Sequence, residues 1–148
     1  MFRMETKADR DRHMLLRERL RETNTQRSPT LRALRGTPQE DEVPLHIWLS
    51  EEATGLFAGG LTGRTWARWL HVELLWVEGR HRGARLGARL LAEAERVARE
   101  ERGCARSRVE TWDFQAPGFY VKQGYEVVAE IEDYPPGITE YTLVKRLG

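Results

Sequence analysis

Between Gly79 and Leu91 the chain reads Gly-Arg-His-Arg-Gly-Ala-Arg-Leu-Gly-Ala-Arg-Leu-Leu. Small residues alternate with arginines here, just before an apolar helical pattern begins. The first N–H groups of a helix have no internal partner and point outward. The helix dipole favours negative charge at the same end. A phosphate can therefore bind to backbone alone where small side chains let it approach, and Gly83, Ala84, Gly87 and Ala88 allow that approach. Arg80, Arg82 and Arg85 add cationic side chains suited to a diphosphate. The segment is not a P-loop, since no Gly-Lys-Ser/Thr follows, and its spacing does not fit a dinucleotide fingerprint. Taken alone, a packing junction between strand and helix explains it equally well.

A second group precedes this turn. In His71-Val72-Glu73-Leu74-Leu75-Trp76-Val77, strict strand alternation puts His71, Glu73, Leu75 and Val77 on one face. Glu73 is the first candidate for a general base, directly or through water. His71 is the second, because an imidazole titrates nearer neutrality. A third group lies downstream, where Phe119 and Tyr120 sit on a short helical stretch.

The elements that must hold these groups can be read along the chain. Ala8 to Glu22 is an amphipathic helix with Met14, Leu15, Leu16 and Leu20 as its apolar stripe. Asn24 to Pro44 is a long polar connection with a short helix near Leu31–Leu34. Leu45–Leu49, Gly55–Thr62 and Thr65–Val77 form a meander of three strands, with turns at Glu51–Thr54 and at Gly63-Arg64. Gly59-Gly60 marks a bulge or a close backbone approach. The period then changes: Leu86, Leu90, Leu91, Ala94, Val97 and Ala98 share a helical face, ended by Gly103. Ala105–Thr111 is a strand, Ala116–Gln123 a short helix stopped by Gly124, and Tyr125–Ile131 and Thr139–Lys145 are the last strands. A strand near Phe2–Thr6 is weakly signalled. The fold class is α/β (α+β), one mixed, mostly antiparallel sheet flanked by helices.

With these elements in place, Val77 to Gly87 resembles the acetyl-CoA loop of the GNAT (Gcn5-related N-acetyltransferase) superfamily, Arg/Gln-x-x-Gly-x-Gly/Ala after a strand ending in Val. Asp113-Phe114-Gln115-Ala116-Pro117-Gly118-Phe119-Tyr120-Val121-Lys122-Gln123-Gly124-Tyr125 is similar to the family segment Asn-x-x-Ala-x-x-Phe-Tyr-x-x-x-Gly-Phe. Two motifs in order, with a strand between them, are more specific than either alone. The resemblance covers about Leu45 to Leu147. It implies acetyl transfer from acetyl-CoA (coenzyme A) to a primary amine, by direct attack with both substrates in one site. It implies cofactor contacts at Arg82, Gly83, Ala84, Arg85, Leu86, Gly87 and Ala88, with the pantetheine arm along Trp76 and Val77. From the second motif it adds Asp113, Phe119 and Tyr120, and it makes Tyr120 the general acid. Phe119 also reads as a core aromatic. Two positions depart from the pattern: Arg85 stands where the family has its central Gly, and Asp113 where it has Asn.

Composition sets the remaining expectations. A chain of 148 residues with 40% hydrophobic content suits one soluble domain, read here as residues 1–148. No apolar run is long enough to span a membrane, and the start has no signal-peptide core. With one cysteine, Cys104, a cytoplasmic setting is expected. No His/Cys cluster has ligand spacing, so no metal is expected. Residues 1–36 carry ten Lys/Arg against five Asp/Glu, but no aromatic platform or nucleic-acid motif accompanies them. The expected partner is a small-molecule amine, with no membrane or nucleic acid, and a homodimer is compatible with the long aromatic strand. Two alternatives remain open at this point: an acyl-CoA-binding regulatory module, supported by Arg85 and Asp113, and acetylation of a protein or aminoacyl-RNA amine. The loops at residues 24–44 and 133–138, Gly59-Gly60, Trp66 and Trp69 are the candidate walls for the acceptor.

Overall fold

The structure is a computed structural model that describes residues 1–148. Two compact units form, Met1–Thr37 and Pro38–Gly148. In the first, helix α1 spans Arg10–Arg27 and α2 spans Pro29–Leu34. Asp9 caps α1 by accepting from the Arg12 N–H at 3.0 Å. Ser28 ends α1 and also starts α2. Its N–H donates to the Asn24 carbonyl, and its Oγ accepts from the Leu31 N–H. Pro29 follows at the first helical position, where its missing N–H costs nothing. No residue of α1 is buried, so the expected stripe of Met14, Leu15, Leu16 and Leu20 is exposed. Residues 1–9 form no strand, and the weak signal at Phe2–Thr6 is not realised.

The second unit is a six-stranded mixed sheet. Strands β1 (Val43–Ser50), β2 (Phe57–Trp66) and β3 (Trp69–Val77) form the meander. A 3-10 turn at Gly79–His81 leads to helix α3, Leu86–Arg96, which continues through a π-helical turn at Val97–Glu101. Then come β4 (Arg106–Trp112), α4 (Pro117–Lys122), β5 (Glu126–Ile131) and β6 (Glu140–Arg146). The order across the sheet is β1-β2-β3-β4-β6-β5. Every neighbouring pair is antiparallel except β3 and β4, which run parallel because α3 returns the chain between them. One face of the sheet buries Leu45, Leu61, Leu70, Val72, Val109 and Leu143 against Leu90, Leu91 and Ala94 of α3. No helix is long and apolar enough to cross a membrane.

The meander differs from the expectation in one place. The β2–β3 turn is at Ala67-Arg68, not at Gly63-Arg64, so Trp66 and Trp69 face each other across it. Both turn residues have positive φ, 49° and 67°, the conformation that matches hairpin twist but that Gly or Asn usually supplies. Gly63 has another task. A Cβ there would lie 2.4 Å from the His71 carbonyl oxygen, so only glycine lets β2 approach β3 so closely.

Candidate functional site

Strands β3 and β4 share only four rungs, from Trp69↔Arg106 to Val72↔Val109. Beyond Val72 they part. The cause lies in β2: Gly63 pairs with Val72 and Thr62 with Leu74, so Glu73 is an extra residue in β3. Such a bulge bends its strand and increases its twist. Gly59 repeats the close approach four residues earlier, since a Cβ there would meet the Trp76 carbonyl oxygen at 2.5 Å. The last half of β3 therefore follows β2 and leaves β4.

The bulge also breaks the alternation expected for this strand. Val77 is buried and Leu75 packs against the core, on the same side as Leu70 and Val72. His71, Leu74 and Trp76 lie on the opposite face, so His71 and Glu73 do not share a side with Leu75 and Val77. The reason is the added residue, which inverts the parity of everything after it.

A cleft of about 880 Å³ opens where the strands part, lined by Leu75, Trp76 and Val77, by the turn before α3, and by Phe119 and Tyr120 of α4. The turn has the open geometry that its small residues suggest. Arg85 is the N-cap of α3 in the left-handed region, φ 58° and ψ 26°, and no side chain caps the helix. The first intrahelical bond there runs from the Arg89 N–H to the Arg85 carbonyl, which leaves the N–H groups of Leu86, Gly87 and Ala88 without helical acceptors. Gly83 has φ 98°, and a Cβ on it would meet nothing within 4 Å. Gly87 lies against Phe119, where a Cβ would sit 3.6 Å from the ring, so Phe119 both lines the cleft and packs α4 on α3. Arg82 does more than carry charge: its Nε donates to the Val77 carbonyl at 2.9 Å and ties the turn to the end of β3. Arg85 and Lys122 line the cleft without an ion-pair partner, and no Asp or Glu lines it.

Two of the expected cofactor residues lie elsewhere. Ala84 is in the turn but outside the cleft wall. Asp113 holds the loop before β6: its carboxylate accepts from the Thr139 N–H at 3.0 Å, and its own N–H donates to the Thr139 carbonyl. A carboxylate used this way does not sit among phosphates.

Tyr120 is 6% exposed, and its hydroxyl makes no hydrogen bond within the protein. Burial pushes its phenol up to about 12. Its ring meets Phe119 and Tyr125 edge-on, at 5.1 and 5.7 Å. Tyr125 is anchored in turn: its hydroxyl lies 2.7 Å from Ser107 Oγ and donates to Glu95 Oε2 at 2.9 Å, while Lys145 Nζ donates to Glu95 Oε1. Every member of this buried group has a partner, which is what its burial requires. The Tyr125 backbone N–H also donates to the Tyr120 carbonyl.

On the opposite face, two carboxylates flank the point of parting. Glu73 is paired with Arg64 at 2.7 Å. His71 Nε2 lies 2.6 Å from Glu110 Oε2, and Arg108 donates to Glu110 Oε1 at 2.6 Å. Burial pushes the Glu110 carboxyl up, but the hydrogen bonds from His71 and Arg108 outweigh it and leave the group below its ordinary value. Sequence reasoning missed Glu110. The available signal was its alternate position with Arg108 on β4, but its link to His71 depends on the β3–β4 register. Trp66 and Trp69 are at the hairpin turn, the far end of β3 from the cleft. Trp66 donates to the Glu40 carbonyl, and Trp69 lies under Arg106. Trp76, beside Gly59-Gly60, stacks on Phe57 at 6.1 Å.

The family model of the acetyltransferase (GNAT) family matches residues 12–125. The blasticidin-S acetyltransferase of Streptomyces morookaense is 55% identical over 136 residues, covering 90% of this chain and all of that one. The crystal structure of an acetyltransferase from Bacillus cereus superposes with a TM-score of 0.83 at 27% identity, covering 97% of each chain. An aminoglycoside 6'-N-acetyltransferase solved with coenzyme A shares the fold, with a TM-score of 0.63 at 14% identity and coverage of 97% and 96%. A strand pair that parts at a bulge, an uncapped helix start facing the gap and a match over most of the chain lead to one conclusion: this protein belongs to the GNAT family of acetyltransferases.

Proposed function

We propose that the protein transfers an acetyl group from acetyl-CoA to the primary amine of a small molecule, with blasticidin S as the first acceptor to test. The observation that carries the cofactor is the α3 turn: three unpaired N–H groups, with Arg85 and Lys122 unpaired beside them, in a cleft without a carboxylate. The donor set suits a diphosphate ester and suits an uncharged ligand poorly. The acceptor rests on the blasticidin-S acetyltransferase, whose whole length aligns with this chain.

Bound acetyl-CoA would supply an activated acyl thioester. The N–H groups of Leu86, Gly87 and Ala88, with the Arg82 and Arg85 side chains, would hold its diphosphate. The edge of β3 that β4 leaves free at Trp76 and Val77 would hold its pantetheine arm. Tyr120 Oη keeps its proton at every physiological pH and offers it as a hydrogen bond to the departing sulfur. His71 and Glu73, on the other face at the parting of the strands, receive the proton from the acceptor amine. An alkylammonium has a pKa of about 10.4 and must lose a proton before it can attack. The hydrogen-bond donor and the base would thus work from opposite sides of one sheet.

The test is release of the CoA thiol from acetyl-CoA with blasticidin S and a panel of other primary amines. The expected result is thiol release with a product heavier by one acetyl group. CoA binding by calorimetry without thiol release for any amine would overturn the catalytic reading, and absence of binding would overturn the cofactor as well.

A further inference from the structure

We propose that Glu110 is a positioning residue: its carboxylate holds the Nε2 proton of His71 and so leaves Nδ1 as the bare nitrogen that takes a proton from the acceptor ammonium. This rests on the reading of His71 as a base given above. Three observations carry it.

The first is distance. His71 Nε2 and Glu110 Oε2 are 2.6 Å apart, a hydrogen bond at or just below the short end of the charge-assisted range of about 2.7–2.9 Å. The second is the state of the carboxyl. Arg108 occupies Oε1 at 2.6 Å, and the group lies below its ordinary carboxylate value. An ionised carboxylate has no proton to give, so the hydrogen between the two residues belongs to Nε2. A neutral imidazole carries one N–H, so Nδ1 then has a lone pair, and no group of the protein bonds to it. The third is place. His71 and Arg108 are partners on the third of the four β3–β4 rungs, one rung before the strands separate. Glu110 is the next residue of β4 on that same face, so the pair stands at the edge of the gap, across the sheet from Tyr120.

The proton balance is simple. One N–H bond of the acceptor ammonium breaks and its electrons remain on nitrogen as the attacking lone pair. The proton joins Nδ1, and the resulting imidazolium has N–H bonds at both nitrogens. Its charge then faces the Glu110 carboxylate, with Arg64 of β2 and Arg108 of β4 as the register partners of His71 on either side. Glu73 has its own partner in Arg64, 2.7 Å away, and competes less for the role. A histidine oriented by a carboxylate on its second nitrogen is the general way to fix tautomer and ring direction together.

The test reads the tautomer directly. In ¹⁵N-histidine-labelled protein, at a pH well above the ordinary imidazole range, wild-type His71 is expected to be protonated at Nε2 and bare at Nδ1. In Glu110→Ala the two tautomers should mix, with kcat reduced on the order of tenfold to a hundredfold and KM for the amine held within about twofold. Glu110→Asp should recover part of the loss. A wild-type ring protonated at Nδ1 overturns the proposal even if no variant folds. An unchanged tautomer and kcat in Glu110→Ala overturn it too. His71→Gln separates the two levels: full turnover in that variant removes His71 as the base, whereas lost turnover beside an unaffected Glu110→Ala removes Glu110 alone.

Discussion

Replacing Tyr120 by Phe removes one hydroxyl that has no partner in the protein and faces the cleft. The phenol lies at about 12, and a thiol at about 8.5. Complete transfer of the proton from Tyr120 to the departing sulfur would run uphill by about 3.5 units, or ~5 kcal/mol at 1.36 kcal/mol per unit. On the proposed reading the side chain would therefore act as a hydrogen-bond donor to a developing anion, not as an acid that loses its proton. A hydrogen bond to a charged group contributes ~1.5–3 kcal/mol, so Tyr120→Phe should lower kcat by roughly tenfold to a hundredfold. KM for acetyl-CoA should change little, and stability should stay within ~1 kcal/mol, because the ring contacts with Phe119 and Tyr125 remain. The assay is steady-state thiol release across pH, with a thermal melt of each protein. A kcat within twofold of wild type would refute the reasoning. So would a wild-type alkaline limb between about pH 8 and 10 that disappears in Tyr120→Phe, since a phenol at about 12 cannot titrate there.

Arg85→Gly relieves a side chain from the left-handed region and should stabilise the fold by ~1 kcal/mol, seen as a rise in Tm. The same change removes an unpaired cation, so CoA binding by calorimetry should weaken several-fold at low salt and approach wild type at high salt. Gly63→Ala puts a Cβ 2.4 Å from a backbone oxygen and should cost about 3 kcal/mol or more, whereas Gly79→Ala, with nothing within 4 Å, should stay within ~0.5 kcal/mol in urea unfolding. Glu95→Ala leaves Lys145 and the Tyr125 hydroxyl without their buried acceptor and should cost about 3 kcal/mol by the same measurement. The Tyr120 phenol lies at about 12 in the folded state against an ordinary 10, so the folded state holds its proton longer. Its contribution of ~2–3 kcal/mol is complete below pH 10 and should be lost as pH rises through about 12, a loss that Tyr120→Phe removes from the alkaline unfolding curve.

The strand-to-helix turn was legible because it is local: small residues, arginines and the start of a 3.6-residue period all lie within ten positions. The helix ends at Gly103 and Gly124 were legible for the same reason, as both glycines have positive φ. The hairpin turn was misplaced because Gly63 looks like a turn residue while Ala67 and Arg68 do not, and a backbone contact with another strand leaves no local mark. The face assignment of β3 failed at Glu73 because a bulge is a property of two strands. Glu110 was missed on similar grounds, since its meaning depends on which rung of β3 it meets. Asp113 shows the reverse case: its position in the motif suggested the cofactor, but its carboxylate is engaged by Thr139.

The four-rung seam between β3 and β4 has a consequence for how the enzyme fails. Three strands lie on each side of it, and each trio keeps its own antiparallel ladder if the seam opens. Warming should therefore separate the trios before either melts, and activity should disappear at a lower temperature than the circular dichroism signal. A ligand lodged in the gap touches β3 on one side and, on the other, α4 and the loop that joins it to β4, and so acts as a staple. Saturating CoA should then narrow the interval between inactivation and melting as well as raise both, with the overall rise set by RT ln(1 + [L]/Kd).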